Sequence, residues 1–173
     1  MEIYSTLFEV IDMRSFSNLW YWLVLAVVWS SASYWVLGVP FDMIQRARRG
    51  DDTAISDLDV LVQIKARRML IIGQVSGLWL LGFSCFAFTA LAFLGFVYDL
   101  EFAQAVFFLL FPLIFVGARA LSTAVKIRDQ QLSGDAMIRA LLRQRLWTQG
   151  IGVAAVFVTA VYGMLQNLQL SAL

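Results

Sequence analysis

MLIIGQVSGLWLLGFSCFAFTALAFLGFVY, residues 69–98, runs for 30 positions without Asp, Glu, Lys, Arg or His. As a helix it would measure about 45 Å, against about 30 Å for the hydrocarbon core of a bilayer. The alternating in/out pattern of a barrel strand is missing, so the backbone can satisfy its polar groups in hydrocarbon only as a helix. Being longer than the bilayer requires, that helix must tilt, bend or protrude.

Working outward, three further uncharged runs occupy 15–41, 102–118 and 146–173. With 61% apolar residues, 14% aromatics and a mean hydropathy of +0.77, the chain lies above the composition of soluble domains. The reading is an all-α integral membrane protein of one domain, spanning 1–173. Four transmembrane helices, at about 16–39, 69–98, 102–118 and 147–167, form a bundle. Loops 40–68 and 119–146 join them and carry amphipathic helical extensions. The first run lacks a basic n-region and a small-x-small cleavage site, so it is read as a retained span.

Charge sets the orientation. Arg46, Arg48, Arg49, Lys65, Arg67 and Arg68 lie between the first two runs; Arg119, Lys126, Arg128, Arg139, Arg143 and Arg145 lie between the last two. Only Arg14 lies elsewhere, on the side that carries Glu2, Glu9, Asp12, Asp99 and Glu101. The positive-inside rule then puts both long loops in the cytoplasm and both termini outside. Arg46, Arg48, Arg49, Arg67, Arg68, Arg143 and Arg145 are read as topology anchors that touch anionic lipid headgroups, each at about 1 kcal/mol near the surface. A specific anion site in MIQRARRGDD, residues 43–52, is the lesser reading.

Small residues at Ser30, Ser31, Ser33, Gly73, Gly77, Gly152 and Gly163 are assigned to helix packing. Trp29, Trp79, Phe107, Phe108 and Phe111, beside Pro112, are candidates for a hydrophobic pocket, with plain packing as the rival reading for the two tryptophans. Residues 2–13 place Ile3, Leu7, Val10 and Met13 on one stripe, which suits an interfacial helix on the outer leaflet or docking on a partner subunit. Thr53 is a candidate cap for a cytoplasmic amphipathic helix carrying Ile55, Leu58, Leu61, Val62 and Lys65, and Ser133 for the helix after SGD. Aspartates 42, 51, 52, 57 and 59 are expected to attract the basic second loop.

What is missing bounds the chemistry. The sequence has no histidine and one cysteine, Cys85, and no Asp, Glu, Lys or Arg falls inside the four apolar runs. Nucleotide, dinucleotide, metal-protease and serine-hydrolase motifs lack their minimum residues, and proton or ion pathways lack their charges. The aspartate spacing at 51, 52, 57 and 59 does not fit a calcium loop, and no nucleic-acid reader accompanies the basic residues. No catalysis, metal, cofactor or nucleic-acid partner is expected.

IDMRSFSNLWYWLVLAVVWSSASYWVLGVPFDM, residues 11–43, and VSGLWLLGF, residues 75–83, resemble a small family of integral membrane proteins of marine and photosynthetic alphaproteobacteria of the Rhodobacter group. The likeness extends over most of the chain, and some members carry a label linking them to the Suf iron-sulfur assembly complex. It implies a bacterial inner membrane, no established activity and no functional residues to transfer. The expectation is a non-catalytic accessory or assembly subunit that touches membrane lipids and packs against a membrane-protein partner or a second copy. The alternative is a binding or transport protein for a quinone, pigment or lipid.

Overall fold

The computed structural model describes residue 16 and residues 18–171, so the interfacial helix expected at 2–13 lies outside the described residues. Helix α1, Leu19–Tyr34, starts at Asn18, whose side-chain oxygen accepts the Trp20 N–H at 3.0 Å and so supplies one of the partners a helix start lacks. It ends at Tyr34, five residues before the end at about 39 expected from the sequence. Trp35–Val36 (β1) turns back and pairs antiparallel with Val39–Pro40 (β2), Val36 opposite Val39. The two turn residues, Leu37 at φ 53° and Gly38 at φ 76°, are both left-handed, as a two-residue hairpin with the native twist requires. Leucine pays about 1 kcal/mol or more for that conformation, and burial of its side chain offsets the cost.

Helix α2, Phe41–Arg48, is followed by α3, Asp52–Phe96, a single helix of 45 residues and about 67 Å. Its N-cap is Asp51 and not Thr53: the Asp51 carboxylate accepts the Thr53 and Ala54 N–H groups and the Thr53 hydroxyl. Helix α4, Glu101–Asp129, runs unbroken through Pro112, and α5 covers Gly134–Ser171. The two long loops read at 40–68 and 119–146 are therefore mostly helix.

Ala54, Leu58, Val62, Ala66 and Leu70 recur every fourth residue of α3 and form its buried row. They pack with Val36 and Val39 of the hairpin, Ile44 of α2, Ala124 and Ile127 of α4, and Met137 and Leu141 of α5. The larger core thus sits at the Lys/Arg-rich end. A second one joins Leu25 and Trp29 of α1 to Ala155 of α5, flanked by Leu109, Leu113 and Val116 of α4.

Helices α3, α4 and α5 are long and apolar enough to cross a membrane; α1, at 16 residues, is an apolar helix of about 24 Å. Of the four spans expected in the bundle, three helices have that length. α3 packs along α4, α4 along α5, and α1 against α5, so that α3 stands at one edge. The most apolar stretch of α3 contains no buried residue.

The attraction expected between the two charged regions takes another form. The ion pairs among the described residues are Arg46–Asp42, within α2, and Arg128–Asp129, between neighbours. Asp59 instead accepts the Gly134 N–H at 2.9 Å through one carboxylate oxygen and 3.1 Å through the other, tying α3 to the start of α5. An anion there faces the positive end of the α5 dipole.

Candidate functional site

Phe107, Phe108 and Phe111 come together with Pro112 on one side of α4, as the sequence suggested, and extend to Phe115. Opposite stand Trp147, Ile151, Ala155 and Val158 of α5. Between the helices lies an open, almost wholly apolar groove of about 570 Å³. The proline has no N–H to offer the Phe108 carbonyl, and its ring forms part of the wall. At the basic end the Arg119 guanidinium stacks over the Trp147 ring, 4.8 Å from its centre.

The two tryptophans proposed for this pocket are elsewhere. Trp79 projects from the free side of α3 and is 83% exposed. Trp29 is buried in the core between α1 and α5, its ring seated on Gly152, and its indole N–H has no acceptor. Packing is therefore the reading that holds for Trp29.

The small residues divide in the same way. Gly152 and Gly163 receive Trp29 and Phe16, and Gly73 faces Leu121 of α4, whereas Gly77 has open space around it. Ser30 and Ser31 are exposed, and the Ser33 carbonyl accepts the Arg145 Nε–H at 3.2 Å. Arg145 also lies over the Phe41 ring at 3.5 Å, so this arginine clamps α5 to α1 and α2. Arg46, Arg48, Arg49, Arg67, Arg68 and Arg143 are exposed.

Sequence reasoning missed a second basic pocket, because its members are spread over two helices. Lys126 of α4, Gln130 just past its end, and Arg139 and Arg143 of α5 line a groove of about 380 Å³. It also missed Gln104, which is buried at the α3–α4 turn. Its amide donates to the Gly95 carbonyl at 2.7 Å and accepts from Gln166 at 3.1 Å, and Gln166 donates in turn to the Tyr162 hydroxyl. A glutamine near the end of an apolar run was the available signal. Among the described residues no three acidic or cysteine side chains converge on a point.

Comparison of the chain with protein families, with curated proteins and with solved structures finds no match.

Proposed function

We propose that the chain is a non-catalytic accessory or assembly subunit of a bacterial inner membrane, docking on a larger membrane protein through α3. In this reading it crosses the bilayer four times, with both termini outside and the Lys/Arg-rich end in the cytoplasm. The levels of the helices support α1 as the fourth span. Arg145 meets Ser33 at one end, while at the other the Phe16 N–H donates to Glu101 and the Phe16 side chain rests on Gly163. Exposed Trp20 and Tyr98 mark one boundary and exposed Trp35 and Trp147 the other, the depths that amphipathic rings favour. A helix of about 24 Å is accommodated by local thinning of the bilayer.

The observation that carries the docking is an apolar ridge that continues where lipid cannot cover it. In this reading the inner boundary of the bilayer lies near Gly73, which is level with Leu121, two residues past Arg119. Val60 and Ile64, farther along α3, are 57% and 48% exposed. Val60 lies about 20 Å of helix beyond Gly73, whereas headgroups extend the bilayer by only about 5–8 Å on each side. Beside them an 850 Å³ groove between α3 and the end of α4 has an apolar floor, with Ile71 and Ile127, and a polar rim, with Gln63, Arg67 and Arg128. An exposed apolar patch with a polar rim in water suits a protein partner.

A photo-crosslinking residue in place of Ile64, at native expression, is expected to capture one stoichiometric membrane protein. That partner should also co-purify in mild detergent, and Val60→Ser with Ile64→Ser should lower its recovery about tenfold, the loss of roughly 1.4 kcal/mol. A monodisperse protein that gives no crosslink would sink the reading. A second reading, a binding protein for a hydrophobic small molecule, is favoured by the aromatic groove between α4 and α5.

A further inference from the structure

The aromatic groove and the basic pocket lie on one seam. On α4, Phe115, Arg119 and Lys126 follow at i+4 and i+7; on α5, Arg139, Arg143, Trp147 and Ile151 follow at i+4. Those spacings keep each set on a single helix face. The apolar groove therefore ends at Arg119 and Trp147, and the pocket of Lys126, Arg139 and Arg143 continues it within two turns. From Phe107 to Arg119 the groove runs about 18 Å along α4, over half of the hydrocarbon thickness. No carboxylate lines either part among the described residues, and neither ion pair involves these cations.

We infer that this seam binds one anionic glycerophospholipid of the leaflet at the Lys/Arg-rich end, its phosphate among Lys126, Arg139 and Arg143 and an acyl chain along Phe115, Phe111 and Phe107. Charge complementarity selects the occupant. Three cations without a carboxylate partner call for a phosphate, and an apolar trough opening directly from them calls for a chain attached to it. A zwitterionic lipid brings its own cation into the same pocket and is disfavoured. Arg46, Arg48 and Arg49 differ in place, because they border neither groove, and Arg46 already pairs with Asp42. The site rests on α4 and α5 crossing the bilayer and is independent of any partner on α3.

The test is native mass spectrometry of the purified full chain, released from mixed micelles holding phosphatidylglycerol and phosphatidylcholine of the same chain length in equal amounts. One phosphatidylglycerol should stay bound, preferred about tenfold or more over phosphatidylcholine. Lys126→Gln, Arg139→Gln and Arg143→Gln together should bring that ratio toward one, while the matching triple at Arg46, Arg48 and Arg49 leaves it unchanged. Phe111→Ala should weaken retention of both lipids without changing their ratio. If the first triple variant does not elute as a folded species, Arg143→Gln alone should lower the ratio about threefold. Equal retention of the two lipids by the parent chain, or equal effects of the two triples, overturns the site, as does a Phe111→Ala variant that holds both lipids normally.

Discussion

Gly152 leaves room that Trp29 occupies: a Cβ at that position would stand 2.7 Å from the indole Cε3. Gly77 would gain a methyl that touches nothing. Both belong to small-residue patterns, and the sequence treats them alike, because such spacing says that a neighbour can approach and not which one does. Gly152→Ala is expected to destabilise the α1–α5 contact by about 1–3 kcal/mol, and Gly77→Ala to change stability by no more than about 0.5 kcal/mol. Thermal unfolding of the two variants in the same micelles decides it, and equal melting temperatures would contradict the assignment. Trp79 was unreadable for a related reason. Its neighbours in sequence are all apolar, and only the position of α3 at the edge decides that its ring meets surroundings and not protein.

The elements were legible in type and less so in extent. The helical spacing of Ile55, Leu58, Leu61, Val62 and Lys65 marks an amphipathic helix, but its merger with the apolar run into one 45-residue helix follows from the absence of any breaker between them. Asp51 and Thr53 are both competent caps by residue type, and the chain chooses Asp51 because Gly50, at φ 87°, turns it into the capping position. The Thr53 hydroxyl and the Ala54 N–H then hold the Asp51 carboxyl below its ordinary value. A carboxyl depressed in the folded chain stabilises it above the unfolded value of about 4, and that contribution is lost as pH falls through the folded value. Asp51→Ala should therefore melt lower than the parent chain at pH near 7, and the gap should close as the pH drops below about 4. A gap that stays constant across that range would mean that the cap works without its charge. The hairpin at 35–40 left no signal, since Leu-Gly is not among the usual turn pairs and its leucine is held by the core.

For the whole molecule, the segregation of twelve cations to one end predicts that Ser133 faces the cytoplasm and Asp99 the outside. With Cys85 replaced by alanine, a membrane-impermeant maleimide should label Asp99→Cys in intact spheroplasts and Ser133→Cys only after lysis. The reverse pattern would invert the topology. Hydropathy and charge sort residues between oil and water one segment at a time, so the sequence by itself determined an all-helical chain with long apolar helices and one basic end. The order of those helices depends on which faces fit each other. Trp29 on Gly152, Phe16 on Gly163 and Asp59 at the start of α5 join residues 75 to 147 positions apart in sequence, and no local pattern encodes such pairings. Only the tertiary structure decided that the best-packed core lies at the basic end, that α3 stands at the edge, and that an aromatic groove on α4 and α5 meets a basic pocket. Burial is a property of the partner as much as of the residue, and the partner is supplied by the fold.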